Sequence, residues 1–211
     1  ERKYLVECVD SNFVSSVGKN VKKFEQITAC FTGITDGVAT VNGTSALHMA
    51  LLVSGVKTGD EVISQALTFV ATCNAITYCG ANPVFIDVDL DTLGLSPNAL
   101  EKWLSQNSEL RDGLAFNKKT GAKISACVPM HTFGFPLRIA QIVEICEAFG
   151  ITVIEDTAES LGSYVGDRHT GTFGELATLS FNGNKVITTG GGGMILTSND
   201  ELAKKALHLT T

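Results

Sequence analysis

A lysine close to a glycine run is the feature with the clearest chemical potential. Lys185 follows a predicted strand and precedes four consecutive glycines at positions 190–193. Glycine adopts positive φ without steric cost and lets the backbone approach a ligand closely. A lysine that is desolvated beside a cofactor is a nucleophile able to form a Schiff base. The alternative is a solvated lysine beside a flexible turn, and the residues alone leave both interpretations open.

An acidic pair marks the end of another predicted strand. Glu155 and Asp156 follow the apolar residues Val153 and Ile154. Because ligands bind outside the carboxyl ends of strands in open α/β sheets, we expect Asp156 to lie at the ligand-facing rim. A carboxylate in that position can bind magnesium, cap a helix or pair with a protonated heterocyclic nitrogen. The sequence does not choose among these three roles.

The segment 42–47, Asn-Gly-Thr-Ser-Ala-Leu, predicts a strand-to-helix turn that can hold an anion. Such a turn presents free backbone N–H groups and the positive end of a helix, and Thr44 and Ser45 add hydroxyl donors. An ordinary capped helix is the alternative. The segment matches neither the nucleoside triphosphate loop nor the dinucleotide fingerprint. The sequence therefore gives little reason to expect a nucleoside triphosphate or a dinucleotide as the ligand.

Together, the anion cup, the strand-end carboxylate and the lysine correspond to the three anchors that pyridoxal phosphate requires. They would hold its phosphate, its pyridine nitrogen and its aldehyde. A fold that brings these three segments to one edge of a sheet is therefore needed.

The pattern of apolar residues predicts such a fold. Apolar runs bounded by Gly, Asp or Asn alternate with segments of helical period, which is typical of an α/β protein with a mostly parallel sheet flanked by helices. Seven strands are predicted, at residues 37–41, 61–64, 83–87, 124–130, 152–155, 177–181 and 193–197. Helices are predicted at residues 12–30, 45–54, 71–79, 97–106 and 138–149. In the first helix Val14, Val17, Val21 and Phe24 share one face.

Two further segments give structural expectations. The polar stretch 109–121 predicts a solvated loop before a strand. A last amphipathic helix starts at Asp200, and its apolar residues Leu202, Ala206 and Leu209 have no later element to cover them. We therefore expect the chain to be cut within a larger protein, and to be poorly soluble or oligomeric on its own.

Composition narrows the class of partner. The net charge of −6 and the isoelectric point near 5.2 provide no basic field for nucleic acid or anionic lipid. No stretch reaches the ~18–20 unbroken apolar residues of a membrane span, and the first ten residues lack the apolar run of a secretory signal. The six cysteines show no metal-ligand spacing. We expect a cytoplasmic protein without nucleic acid, membrane or metal.

The chain resembles the DegT/DnrJ/EryC1/StrS family of pyridoxal-phosphate-dependent sugar aminotransferases. Five segments carry the resemblance, and they follow in the family's order and spacing across nearly the whole chain. They are residues 42–47, 68–72 (Thr-Phe-Val-Ala-Thr), 85–89 (Phe-Ile-Asp-Val-Asp), 155–159 (Glu-Asp-Thr-Ala-Glu), and 180–181 with Lys185 and the glycine run. Where many members have Gly-Glu-Gly-Gly after the lysine, this chain has glycine at all four positions 190–193. The chain therefore lacks a carboxylate there and keeps a backbone that can approach a ligand closely.

The resemblance implies a type I aminotransferase fold and assigns roles to individual residues. Lys185 corresponds to the catalytic lysine of the internal aldimine, and Asp156 to the carboxylate that pairs with the pyridine nitrogen. Phe69 corresponds to the aromatic residue that stacks on the cofactor ring. The phosphate-binding positions are Thr44, Ser45 and Ser180, and Glu159 corresponds to a position near the phenolic oxygen. His131 is interpreted as a loop or core histidine outside the site.

The implied reaction is transfer of an amino group to a nucleotide sugar. Asp156 would keep the ring nitrogen protonated, and Lys185 would carry a proton between substrate and cofactor carbons. Family members that dehydrate instead have histidine in place of this lysine, so Lys185 argues against that branch.

Segments 15–21, 131–134 and 182–185, with Phe24 and Glu25, look closest to the LegC-type subgroup. That subgroup aminates 4-keto nucleotide sugars for polysaccharide biosynthesis, with glutamate as the expected donor. A UDP-4-keto-6-deoxy-N-acetylhexosamine is the expected type of substrate.

The resemblance also bears on domains and assembly. It implies that residues 1–211 form the cofactor-binding large domain of a homodimer, with an N-terminal helical segment. It further implies that the small C-terminal domain of the family is absent from this chain. A 3-keto sugar aminotransferase of the same family and a truncated, non-catalytic scaffold remain alternatives.

Overall fold

A mixed sheet of seven strands forms the centre of the computed structural model, which describes residues 1–13, 15 and 17–211. All seven predicted strands are confirmed, each with ends within two residues of the prediction. Two short hairpins add four more strands to the described part of the chain. In chain order the strands are β1 Asp36–Thr40, β2 Glu61–Gln65, β3 Asn82–Ile86, β4 Ser108–Arg111, β5 Leu114–Asn117, β6 Ile124–Val128, β7 Thr152–Asp156, β8 Tyr164–Val165, β9 Arg168–His169, β10 Leu176–Ser180 and β11 Gly193–Thr197.

The sheet has the order β1-β11-β10-β7-β6-β2-β3. Strand β11 runs antiparallel to β1 and β10, and the other neighbouring pairs are parallel. Strands β2, β6 and β11 are buried along their whole length. Burial on both faces agrees with the mostly apolar sequences of β6 and β11, whereas β2 also buries Glu61, Ser64 and Gln65.

Helices cover both faces of the sheet. Buried side chains of α3, α4 and α7 pack on one face, and those of α5 and α6 pack on the other. Phe24 of α2 stacks edge-on against Phe181 just beyond β10, with the ring centroids 4.8 Å apart. The helices are α1 Arg2–Asp10, α2 Lys19–Thr32, α3 Gly43–Val53, α4 Val70–Tyr78, α5 Pro97–Asn107, α6 Ile139–Ala148 and α7 Asp200–Thr210, with a 3₁₀ turn at Thr132–Gly134.

The N-terminal helix differs from its prediction. The helix expected at 12–30 is confirmed only from Lys19 onwards, as part of α2, and α1 lies before the predicted range. Helix α2 begins after Gly18, whose φ of 150° is a conformation that other residues rarely adopt. Val14 of the predicted helix and Ser16 of the subgroup motif lie outside the described residues.

Most of the polar stretch 109–121 lies in a β-hairpin, and only residues 118–121 form the predicted connection before β6. Strands β4 and β5 pair antiparallel through Asp112 and Gly113, which have φ of 51° and 79°. Positive φ at both central residues is the geometry of a primed hairpin turn, for which Asp-Gly is a strong signal. Ala115 is fully buried against the core, so this segment is more than a solvated connection.

The apolar face of α7 is largely covered, contrary to expectation. Ala206 is fully buried, and Leu202 packs against the core cluster that α3 and β1 share. Leu209 remains half exposed, at 52%. Within the described residues, no helix is long and apolar enough to cross a membrane.

Strands β8 and β9 contain a buried histidine that makes stability depend on pH. The Nε2 atom of His169 accepts a hydrogen bond of 2.7 Å from the N–H of Gly162, and its Nδ1 lies against the carbonyl of Thr170. Burial lowers the pKa of His169 below the 6.5 of a free imidazole. The folded protein therefore holds this ring neutral, with Nε2 as an acceptor.

We expect the folded chain to lose stability as the pH falls below 6.5, because the unfolded state then binds a proton that folded His169 resists. His169→Gln should remove this part of the pH dependence. Urea unfolding of both proteins between about pH 7.5 and about pH 5.5 measures it. Parallel losses of unfolding free energy in the two proteins would contradict the expectation.

Candidate active site

One cavity at the carboxyl ends of β7 and β10 collects most of the predicted site. Its volume is about 250 Å³. Six of the seven predicted residues line it: Thr44, Phe69, Asp156, Glu159, Ser180 and Lys185. Ser45 does not line the cavity, and its N–H instead donates to the side chain of Asn42 at 2.7 Å. The first turns of α3 and α4 form two of the walls.

Lys185 reaches into this cavity from the segment after β10. Its side chain is only 12% exposed, and its Nζ donates to Glu159 Oε1 at 3.1 Å. Nζ also lies 5.9 Å from the centroid of the Phe69 ring. The other carboxylate oxygen of Glu159 accepts the N–H of Phe133 at 3.1 Å. Glu159 therefore ties the lysine to the loop that follows β6.

Asp156 ends β7 and is buried at the floor of the cavity. Its Oδ2 accepts a hydrogen bond of 2.7 Å from the hydroxyl of Thr72, and its Oδ1 accepts the N–H of Ala158 at 3.2 Å. Burial raises the pKa of Asp156, since charge is disfavoured away from water, and these two hydrogen bonds oppose the increase. A positively charged N–H group bound in the cavity would stabilise the ionised carboxylate further.

The neighbouring Glu155 has a structural role. Its carboxylate accepts backbone N–H bonds of 2.7–2.8 Å from Gly171, Phe173 and Gly174, and lies 3.1 Å from Nε2 of His131. Both Glu155 and His131 are fully buried. Successive residues of a strand face opposite sides of the sheet. Glu155 and His131 therefore anchor the loop before β10, and the side chain of Asp156 lies on the cavity side.

The start of α3 forms a cup against β10. Asn42 caps the helix, whose first amides have no partner within it. A Cβ on Gly43 would lie 2.8 Å from Cβ of Ser180, so only glycine permits this close approach. A Cβ on Gly193 would lie 2.4 Å from the carbonyl oxygen of Asn42. The last glycine of the run therefore serves the packing of β11 against this turn.

Several lining residues were not predicted. They are Asn42, Gly43, Leu47, Ala71, Thr72, Met130, Ala158, Asn182 and Asn184. Asn42 and Thr72 lie inside motifs that the sequence singled out, and the asparagine immediately before a helix is a recognisable capping signal. The hydrogen bond from Thr72 to Asp156 joins residues 84 positions apart, so no local sequence pattern predicts it.

The residues that line the cavity suit pyridoxal phosphate. A buried carboxylate whose pKa is raised by desolvation fits a protonated ring nitrogen, and the glycine-lined helix start beside Thr44 and Ser180 fits a phosphate. The amine of Lys185 shares the cavity with both. A fit to all three chemical groups supports the predicted cofactor.

Comparison with known proteins agrees with this geometry. The chain is 40% identical over 205 residues to GDP-perosamine synthase of Caulobacter vibrioides, covering 97% of this chain and 51% of the relative. It is 40% identical over 211 residues to the putative pyridoxal phosphate-dependent aminotransferase EpsN of Bacillus subtilis, covering 100% and 52%. The chain therefore spans about half the length of the curated relatives it matches.

Solved structures share the fold. An aminotransferase from Brucella abortus superimposes with a TM-score of 0.89 at 29% identity, covering 97% of this chain and 52% of that one. DesI, crystallised in the presence of its TDP-sugar product, superimposes with a TM-score of 0.84 at 29% identity, covering 97% and 48%. The predicted α/β fold and family are confirmed, and the LegC-type subgroup stays a prediction.

The family profile matches residues 1–211 under the description DegT/DnrJ/EryC1/StrS aminotransferase family. Its aminotransferases depend on pyridoxal phosphate, and the structural neighbours include NtdA with bound cofactor PMP. On this match and on the relatives at 40% identity, the chain belongs to the DegT/DnrJ/EryC1/StrS aminotransferase family.

Proposed function

We propose that this chain holds pyridoxal 5′-phosphate in the cavity of Lys185 and Asp156, as part of a nucleotide-sugar aminotransferase. One observation carries the proposal: a shielded lysine amine and a buried carboxylate share a single cavity with a helix N-terminus. Family membership supports the same reading.

The proposal gives each lining residue a task. Thr44, Ser180 and the first amides of α3 bind the phosphate, while Ser45 supports the cup through its bond to Asn42. Phe69 would provide an apolar face for the ring, and Asp156 would accept a hydrogen bond from the ring nitrogen. Glu159 holds Lys185 and would lie on the side of the phenolic oxygen.

The chemistry requires a proton to move between two carbons. When bound, the cofactor supplies an electron sink that stabilises negative charge at the substrate carbon. Lys185 Nζ, once free of its partners, takes the proton from the amino donor and returns it as a general acid. Its 12% exposed side chain limits the access of bulk water to that proton. An ionised Asp156 would hold the ring nitrogen protonated.

We propose a 4-keto nucleotide sugar as acceptor and glutamate as donor, in a cytoplasmic homodimer. Support comes from the names of the relatives, which include GDP-perosamine synthase and a protein crystallised with its TDP-sugar product. The six free cysteines suit a reducing compartment, and the exposed Val186 and Ile187 beside the cavity suit coverage by a second copy.

An amination assay tests the substrate class. Because the chain spans about half of its curated relatives, the assay uses the longest protein that contains these 211 residues. We expect glutamate-dependent amination of UDP-, GDP- or TDP-linked 4-keto sugars, detected by mass spectrometry. Amination of a 3-keto sugar alone would contradict the acceptor assignment. Cofactor binding with no product from either class would favour the scaffold.

The phosphate cup makes a prediction for the chain itself. Thr44→Val and Ser180→Ala should each weaken binding of pyridoxal phosphate about 10- to 100-fold, because each removes a hydrogen bond to a charged group. Ser54→Ala, at the far end of α3, is the matched control. Dissociation constants come from absorbance titrations.

A second ligand separates phosphate recognition from general damage. Pyridoxal lacks the phosphate, so the same two variants should bind it as the original chain does. Equal losses for pyridoxal and pyridoxal phosphate would show that Thr44 and Ser180 do not recognise the phosphate.

A further inference from the structure

We infer that Thr72 is a positioning residue for Asp156, and that Thr68 and Thr72 form a directed chain of hydroxyl groups that keeps this carboxylate ionised. The inference rests on the proposed function in one respect, the assignment of Asp156 to the ring nitrogen of the cofactor. It adds two residues of α4 and its preceding turn to the machinery of the site.

The distances define the chain of hydroxyls. Thr72 Oγ1 lies 2.7 Å from Asp156 Oδ2, and 2.9 Å from Oγ1 of Thr68. Thr72 is 1% exposed and Asp156 is 3% exposed, so water does not replace this contact. The hydroxyl of Thr68 also lies 3.0 Å from the sulfur of Met130, a weaker acceptor.

The direction of the chain follows from the number of hydrogens. An ionised carboxylate can only accept, so the one hydroxyl hydrogen of Thr72 points to Asp156. The oxygen of Thr72 then accepts the hydrogen of Thr68. Successive bonds in one direction polarise each other, which strengthens the bond that reaches the carboxylate.

Asp156 needs this support because burial opposes its charge. Lys185 faces it from the segment after β10 and His131 from the loop after β6, and both lower its pKa by charge. Glu155 on the same strand is occupied by its own bonds. Among the described residues, Thr72 is the only side chain that donates a hydrogen bond to Asp156.

The same turn also positions the aromatic wall. Phe69 lies between Thr68 and Thr72, and its carbonyl accepts the N–H of Thr72 at 3.0 Å. The start of α4 therefore fixes two separate contacts, the face of Phe69 and the charge of Asp156. A ligand ring held by both would be located by one helical turn.

Three variants of α4 test the inference. Thr72→Val keeps the shape of the side chain and removes the hydroxyl, and Thr72→Ser restores the donor. Thr77→Val makes the same change at an exposed position of the same helix. Carbon-13 NMR of aspartate-labelled, cofactor-free protein follows the titration of Asp156, with its signal assigned through Asp156→Asn.

We expect the pKa of Asp156 to be about one to two pH units higher in Thr72→Val, since a hydrogen bond to the charged form is lost. Binding of pyridoxal phosphate should weaken about 10- to 100-fold. Thr72→Ser and Thr77→Val should match the original chain in both measurements.

The two readouts separate the possible failures. An unchanged titration of Asp156 in folded Thr72→Val would overturn the inference, whatever happens to affinity. Reduced thermal stability with an unchanged titration would give Thr72 a merely structural role and would also overturn it. Absence of cofactor binding in the original chain would refute the proposed function, while the titration would still test Thr72.

Discussion

Replacing Lys185 with alanine will abolish covalent attachment of pyridoxal phosphate to the chain. The amine of Lys185 is the one that lines the cavity, and its partners Glu159 and Phe69 hold it there. Incubation with the cofactor and reduction with borohydride, followed by peptide mapping, should label the peptide that contains Lys185 and leave the variant unlabelled. Lys205→Ala, an exposed lysine of α7, should retain full labelling.

The labelling experiment separates a loss of chemistry from a loss of folding, because the Lys185–Glu159 ion pair is only partly buried. Glu159 is 26% exposed, so water can solvate its carboxylate once the lysine is removed. We therefore expect Lys185→Ala to keep its circular dichroism spectrum and its thermal midpoint close to those of the original chain. Labelling of a different lysine in the original chain would refute the assignment of Lys185.

The strands were predictable because their burial is a local property of the sequence. Strands β6 and β11 are buried throughout, and each appears in the sequence as a short, mostly apolar run. The start of α2 was not predictable in this way. It lies at Gly18, and a glycine within a helical pattern does not by itself show where a helix begins.

The hairpin of β4 and β5 shows a different limit. Its charged residues face water, so composition suggested a loop, although Asp112 and Gly113 carried a turn signal that outweighs composition. For α7, the residues that cover Ala206 belong to elements far earlier in the chain, and the sequence that surrounds α7 does not reveal them.

The candidate site was predictable where its residues fall into motifs. Thr44, Phe69, Asp156, Ser180 and Lys185 each belong to a recognisable segment, and the structure brings them to one cavity. The division of labour between Glu155 and Asp156 was not predictable from their adjacency. It depends on which face of the sheet meets the loop 171–174, and a three-dimensional packing arrangement decides that.

Asp156→Asn should have opposite effects on stability and on function. Burial raises the pKa of Asp156 above 3.8, so the folded state resists ionisation. The stability that this group contributes is complete below the unfolded pKa and is lost as the pH rises through the folded pKa. At neutral pH the amide removes a desolvated charge, so the cofactor-free variant should be at least as stable as the original chain in urea unfolding.

Function should respond in the other direction, because a neutral amide cannot hold the ring nitrogen protonated. We expect transamination by the complete protein to fall roughly 10²- to 10³-fold, the scale of losing one electrostatic contact at a reacting centre. Asp87→Asn makes the same substitution at an exposed position just beyond β3 and should change neither stability nor rate. Near-original turnover in Asp156→Asn would show that the carboxylate does not tune the cofactor. A large loss of cofactor-free stability would instead mean that Asp156 is retained for folding, which its burial with only two hydrogen bonds argues against.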